Sequence, residues 1–133
     1  MQRFLDAQDG THAQALAELR AGRKVTHWIW WEMPQLASLG RSSYARDYGI
    51  ADLDEAAAYL AHPTLRARLI ELCDALLDHK GEDPERILGD IDALKVRSMA
   101  TLFAAVPNAP TVFADLLDTF YNGDRCPLTL AEL

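Results

Sequence analysis

The chain has 133 residues, of which half are hydrophobic and a quarter are charged, and its formal net charge at pH 7 is −7. A chain of this length and balance is typical of a single globular domain that buries a core without a disulfide or metal staple. The acidic charge argues against nucleic acid and anionic membranes as partners, because both attract clustered Lys and Arg. In addition, no apolar run reaches the roughly 20 residues that a membrane span requires.

The first residues and the cysteines predict a cytoplasmic protein. Asp6 interrupts the N-terminus before a hydrophobic stretch develops, so we expect no signal peptide. Cys73 and Cys126 are far apart in the sequence, and without a secretory signal we expect both thiols to be reduced. Cys73 also falls in an apolar helical stripe, where burial raises the pKa of a thiol and makes it unreactive.

Helical spacing recurs along the chain, and no stretch alternates apolar and polar residues for long enough to predict a strand. A helix is predicted from Thr11, its N-cap, to Ala21. The next begins at a capping box of Asp52 and Glu55 and ends before Pro63, since proline disfavours helical geometry in the preceding residue. A further helix is predicted from the apolar spacing that begins at Leu65, and Gly81 ends it. Others are predicted over 84–89, 90–106 and 111–122, with a short C-terminal turn from 129. We therefore predict an all-α fold of about six to seven helices, with no sheet, in a single domain over residues 1–133.

Motifs for catalysis and for metal or phosphate binding are missing. The chain has no Gly-rich phosphate loop, no His-x-x-x-His or Cys-x-x-Cys spacing and no Gly-x-Ser-x-Gly elbow. The four histidines are scattered, so a zinc site would have to assemble from distant helices. We predict neither a metal nor a cofactor.

The segment 22–36 holds all three tryptophans within four positions, next to a histidine and after two cations. Indoles stack on flat rings and attract cations, so this segment is able to build a pocket for a planar base or sugar. Residues 1–50 have six basic and five acidic side chains, against seven and fifteen in 51–133, which favours the first part for anion binding. Alternatively, the tryptophans fill a small core and the cations are solvated. The ligand-binding candidates are Arg23, Lys24, Trp28, Trp30, Gln35 and Arg41.

The helix predicted over 90–106 has an apolar arc of about 200°, which contains Lys95 and Ser98. A helix with so wide an arc should lie at the centre of the fold. A lysine within it must extend its ammonium to water, pair with an acid or lose its proton, which makes Lys95 a functional candidate. A structural pair with Asp54, Glu55 or another acid is the alternative. The candidates for catalysis are His27, Lys95 and Ser98.

These segments belong to a pattern that covers nearly the whole chain in order. It includes Gln2-Arg3-Phe4, Ala15-Leu16-Ala17-Glu18-Leu19-Arg20-Ala21-Gly22-Arg23-Lys24, His27-Trp28-Ile29-Trp30, Pro34-Gln35-Leu36, Leu39-Gly40-Arg41-Ser42, Ala58-Tyr59-Leu60-Ala61-His62-Pro63 and Lys95-Val96-Arg97-Ser98. The pattern resembles an uncharacterised bacterial family of domains of unknown function, some members of which are labelled calpastatin. The resemblance implies a mainly helical fold of about this length and implies no activity. Calpastatins are disordered protease inhibitors, whereas the composition and capping of this chain predict a folded domain.

Three functional hypotheses remain open at this point. The first is a small-molecule pocket, in an enzyme or a binding protein, for a nucleotide-like or ribosyl ligand around residues 27–30 and 95–98. A weak similarity to small helical N-glycosidases that act on ribosyl compounds, carried by no single motif, implies the same ligand class. The second is a non-enzymatic protein-interaction module, and the third assigns the unusual residues a structural role only. The sequence leaves the oligomeric state open.

Overall fold

The computed structural model describes residues 1–133 and contains ten α-helices and no sheet. Six of the helices have at least eight residues, and a 3₁₀ turn at Ala37–Leu39 separates α3 from α4. The prediction of an all-α fold without a sheet is confirmed. The helices are α1 (Gln2–Asp9), α2 (His12–Arg20), α3 (Ile29–Glu32), α4 (Ser43–Tyr48), α5 (Leu53–Ala61), α6 (Pro63–Leu77), α7 (Pro84–Leu88), α8 (Asp90–Ala104), α9 (Val112–Tyr121) and α10 (Pro127–Glu132).

Helices α6 and α8 lie at the centre of the fold. Helix α6 packs against α2, α5 and α9, while α8 packs against α5, α7, α9 and α10. Their apolar faces belong to one cluster of 32 buried side chains, in which the ring of Phe103 lies between those of Tyr59 and Phe113. No helix has the length and apolar character that crossing a membrane requires.

The predicted helix starts are confirmed where a cap marks them. The carboxylate of Asp52 accepts the main-chain N–H of Glu55 at 2.8 Å, and α7 begins at Pro84 as predicted. Pro63, expected only to end the preceding helix, is also the first residue of α6. Proline suits this position because its missing N–H would have no partner in the first turn. Helix α8 begins one residue differently from the prediction, since Gly89 is its N-cap and Asp90 its first helical residue.

Helices α1, α3 and α4 are not in the sequence prediction. Helix α1 is eight residues long and buries Phe4 and Gln8, of which only Phe4 is apolar. Helix α4 has six residues and lies between Gly49 and the segment 33–42, which contains only the 3₁₀ turn. Gly49 is required there because a Cβ would collide with Ala37 and with the carbonyl oxygen of Ala45. This close approach folds residues 35–50 back on themselves, with Leu36 and Ile50 joined by an isolated bridge.

The central position of α8 is confirmed for its second half only. Val96, Met99 and Phe103 are fully buried, as expected of a central helix. In contrast, Ile91 and Leu94 are 64% and 62% exposed, because no neighbouring helix covers that side of the first turns. Part of the predicted apolar face of α8 is therefore exposed on the surface of the fold.

Candidate functional site

A buried carboxylate, Glu18, organises the loop that precedes the tryptophans. It accepts the main-chain N–H groups of Val25 and Thr26 at 2.7 and 2.9 Å, and the Thr26 hydroxyl at 2.6 Å. The amide of Gln14 and the indole N–H of Trp28 also donate to it. Burial raises the pKa of Glu18, but the hydrogen bonds from Thr26, Val25 and Gln14 outweigh it and lower the pKa to about 2. The loop is thus folded around a permanent negative charge.

Lys24 and Trp28 are fixed by this loop. The ring of Trp28 is fully buried, and the ammonium of Lys24 lies 4.8 Å from its centroid. The Lys24 side chain is only 5% exposed, and its Nζ donates to the carbonyl oxygen of Thr26 and pairs with Oδ2 of Asp92 at 2.8 Å. The charge of Lys24 is therefore neutralised inside the protein.

Asp92 connects this pair to Lys95. The second carboxylate oxygen of Asp92 lies 3.8 Å from Nζ of Lys95, one turn further along α8. The ammonium of Lys95 also lies 4.8 Å from the ring centroid of Trp30, and its side chain is 24% exposed. Two lysines thus share one carboxylate, so the three groups together carry a net positive charge. This charge lies nearer Lys95, because the carboxylate is closer to Lys24.

Helix α3 holds Trp30 in position beside Lys95. The buried carboxylate of Glu32 accepts the Thr11 hydroxyl at 2.7 Å, and the Gln8 amide donates to the main-chain oxygen of Trp31 at 2.7 Å. These bonds tie α3 to α1 and α2. Tyr44 packs on the indole of Trp30 with ring centroids 5.0 Å apart, so Trp30 is half-buried and presents only part of its ring.

Three depressions with some lining residues in common lie around Trp30 and Lys95, and together they form the groove. A depression of about 250 Å³ lies on one side of Trp30 and is lined by Lys24, His27 and Asp92, among others. A second, of about 260 Å³, is lined by the residues Gln35, Leu39, Ile91, Leu94, Lys95, Ser98 and Leu128. A crevice of about 10 Å³ shares Trp30 with the first depression, and Gln35 and Lys95 with the second. Each of the two larger depressions is open to solvent and slightly smaller than the roughly 300–1,000 Å³ that is usual for small-molecule sites.

The family model described as protein of unknown function, DUF1810, matches the chain over residues 1–133. The chain belongs to the DUF1810 family. It is also similar to the conserved hypothetical protein Rv1873 from Mycobacterium tuberculosis, of which a crystal structure at 1.38 Å is known. The identity is 42% over 99% of this chain and 94% of the other, with a TM-score of 0.96. No curated protein shows significant similarity to the chain. The resemblance to a family of unknown function is thus confirmed, and the match carries no calpastatin label.

Within this DUF1810 fold, the groove brings together five of the residues that the sequence singles out, and Lys24 lies at its edge. His27 is exposed at one end, Trp30 and Lys95 lie in the middle, and Gln35 and Ser98 line the other end. The Ser98 hydroxyl lies 3.1 Å from the carbonyl oxygen of Leu94 and 3.2 Å from the Cys126 sulfur. It is therefore engaged within the protein.

Three of the predicted ligand-binding residues lie outside the groove. Trp28 presents no ring face to a ligand because it is fully buried in the core. Arg23 lines a separate depression with Arg86 and Glu82, and Arg41 is exposed and lines none of the depressions. We leave Trp28, Arg23 and Arg41 out of the candidate site.

The sequence does not single out Asp92 or the aliphatic side chains around Lys95 as parts of the candidate site. Asp92 is the other acid that the sequence allows as a partner of Lys95, and its spacing of three residues from Lys95 is a usual signal for a pair on one helix face. Leu128 comes from α10, and nothing in the sequence relates it to α8. Cys73 is completely buried, as its place in an apolar stripe predicts, and this burial raises the pKa of its thiol.

Proposed function

We propose that the groove between α3, α8 and α10 binds a small molecule with a planar ring, of the nucleotide-like or ribosyl class. The observation that carries the proposal is the position of Lys95. Its ammonium opens onto the groove beside the indole of Trp30, and its only carboxylate partner is shared with Lys24 at a shorter distance. Small-molecule sites usually combine apolar and aromatic walls with a few placed polar groups, and here the cation is able to pair with an anionic group of the ligand.

Each groove residue has a separate role in this proposal. Lys95 attracts the negative charge of the ligand, while Lys24 does not, because Asp92 neutralises it. The ligand ring lies against the part of the Trp30 indole that Tyr44 leaves uncovered. His27 and Gln35 supply hydrogen bonds at the two ends. Of the three candidates for catalysis, His27 and Lys95 are available to a ligand, and the proposal concerns binding, with or without a reaction.

Thermal unfolding in the presence of candidate ligands tests this proposal. The panel contains nucleosides, nucleotides, NAD, ADP-ribose and pentose phosphates. A ligand at about a hundred times its Kd stabilises the protein by about 2.7 kcal/mol, which raises the melting temperature by several degrees in a chain of this size. We expect a shift that is lost in Lys95→Met and kept in Lys80→Met, a matched lysine on the exposed surface. A panel without any shift at millimolar concentrations would overturn the proposal.

A protein-interaction module is the second candidate, and the exposed side chains of Ile91, Leu94 and Leu128 favour it. Clustered aliphatic side chains on a surface are a usual mark of contact with another protein. This function predicts that the purified chain associates with itself or with a partner through α8 and α10. Sedimentation velocity over a range of concentrations tests self-association, and a monomer at all concentrations counts against it.

A further inference from the structure

The half of the groove on the α10 side has an aliphatic wall. Ile91, Leu94 and Leu128 are 64%, 62% and 68% exposed, and all three line one depression with Lys95. Leu39 completes the wall from the 3₁₀ turn and is half-buried. Most of the long aliphatic side chains of a small domain are buried, so three exposed ones around one depression form a surface able to contact an apolar group.

The other half of the groove carries more acidic than basic side chains. Its depression is lined by Asp90, Asp92 and Lys24, whereas Lys95 lines the aliphatic half. The whole protein is also acidic, with a formal net charge of −7. A ligand with several negative charges would be repelled by Asp90 and by the protein as a whole, whereas a single negative charge is satisfied at Lys95.

We infer that the groove selects an amphipathic monoanion, a planar molecule with one negative charge and an apolar substituent. The negative charge pairs with Lys95, the ring lies beside Trp30, and the substituent packs on Leu94 and Leu128. This inference rests on the proposed function, since it concerns the same groove, and it narrows the ligand to a class with little charge. Nucleoside triphosphates and free pentose phosphates fall outside this class.

A second copy of the chain is a less suitable occupant of the aliphatic wall. A stable protein–protein interface buries roughly 800 Å² on each partner, more than three or four aliphatic side chains provide. The wall also contains a depression and the ammonium of Lys95. A flat self-association surface would leave the depression unfilled and the ammonium unpaired. A small amphipathic molecule fills the depression and pairs the cation.

The probe for the test is 1-anilinonaphthalene-8-sulfonate, which has a naphthalene ring, one sulfonate and an apolar anilino group. Its fluorescence is titrated with the unmodified chain and with Leu94→Asp, Leu128→Asp and Lys95→Met. The control is Leu130→Asp, an equally drastic change on the same helix as Leu128, at a residue that is 48% exposed and lines none of these depressions. We expect binding to weaken about tenfold or more in the first three variants and to stay unchanged in the control. Because Leu94 and Leu128 are exposed, these variants should fold, and their melting curves confirm it.

Competition with simpler sulfonates tests the charge selection. Naphthalene-1-sulfonate and naphthalene-1,5-disulfonate share the ring and differ by one charge. We expect the monosulfonate to displace the probe at about a tenfold lower concentration. Equal or better displacement by the disulfonate would overturn the inference, as would unchanged probe binding in Leu94→Asp and Leu128→Asp. Self-association that Leu94→Asp abolishes would also overturn it, in favour of a second copy on the wall.

The two proposals fail in different ways. If Leu94→Asp and Lys95→Met weaken probe binding and no ligand of the nucleotide panel raises the melting temperature, the amphipathic site is supported and the nucleotide-like class is removed. A positive panel that depends on Lys95, together with probe binding that ignores Leu94 and Leu128, would support the small-molecule groove and overturn the apolar subsite.

Discussion

The ammonium of Lys24 and the carboxylate of Asp92 lie 2.8 Å apart, and the Lys24 side chain is almost completely buried. The same carboxylate is 3.8 Å from the more exposed Lys95. The two lysines of the groove therefore differ in role. Lys24 is part of the internal structure, whereas Lys95 is held near the groove by weak contacts and remains available to a ligand.

Removing the charge of Asp92 should destabilise the protein much more than removing that of Lys95. Asp92→Asn leaves the buried ammonium of Lys24 without a counter-charge, and we expect it to lower the free energy of unfolding by about 3 kcal/mol. Lys95→Met removes the partly exposed ion pair with Asp92, in which the two charged atoms are 3.8 Å apart, and should change that free energy by less than about 1 kcal/mol. Urea unfolding at pH 7 measures both. Equal costs would contradict the division of roles, and adding Lys24→Met to Asp92→Asn should restore part of the loss.

The loop around Glu18 should depend on the carboxylate and therefore on pH. We expect Glu18→Gln to cost about 2–3 kcal/mol at pH 7, because an amide cannot accept all the hydrogen bonds that end on the carboxylate. The pKa of Glu18 is lowered to about 2 in the fold, below the ordinary value of 4.5. The stabilisation is thus present above pH 4.5 and is lost as the pH falls towards 2. Urea unfolding at pH 7 and at pH 3 should show a smaller cost at pH 3, and a larger one would contradict this account.

His12 should stabilise the protein most at mildly acidic pH. Its ring nitrogens lie 2.8 Å from the carboxylates of Glu32 and Glu71. The hydrogen bond to Glu32 raises the pKa of His12, with help from Glu71, although burial acts in the opposite direction. The charged form is therefore favoured in the folded state, and its contribution is complete below pH 6.5 and is lost as the pH rises through the raised pKa.

The variant His12→Gln measures this contribution. We expect it to cost about 1–3 kcal/mol at pH 6, the usual range for hydrogen bonds with a charged partner, and clearly less at pH 9. Glu71→Gln is the control. The side chain of Glu71 is 45% exposed whereas that of Glu32 is buried, so losing the Glu71 contact should lower the free energy of unfolding less than losing the Glu32 contact. The same cost for His12→Gln at both pH values would show that the ring acts by packing alone.

Much of the fold follows from local signals in the sequence. Asp52 and Pro84 mark helix starts, and Pro63 marks a helix end, through the geometry of a single cap or ring, so neighbouring elements do not alter them. Helix α3 has no such signal. It is four residues long and is held by hydrogen bonds from Gln8 and Thr11, which belong to other helices. Periodicity within the segment cannot reveal contacts of that kind.

The site is less predictable because it depends on which side chains the neighbours cover. Trp28 and Trp30 look equivalent in the sequence, yet Glu18 draws the indole N–H of Trp28 into the core while Trp30 borders the groove. Likewise, Leu94 belongs to the same apolar arc as Met99, and only the absence of a covering helix leaves Leu94 exposed. Lys95 stands out from the sequence because its charge interrupts that arc, which is a local feature.

The central claim is that the groove beside Trp30 and Lys95 binds a small molecule. Its most direct test follows the three indole N–H signals by ¹H–¹⁵N correlation NMR during titrations with adenosine, NAD and 1-anilinonaphthalene-8-sulfonate. The indole N–H groups of Trp28 and Trp31 donate to Glu18 and Thr11 and serve as internal controls, and Trp30→Leu assigns the third signal. We predict that the Trp30 signal shifts in a saturable manner with at least one of these ligands, while the Trp28 signal stays in place. If none of the indole signals moves at millimolar ligand, or if all three move together, the groove is not the binding site proposed here.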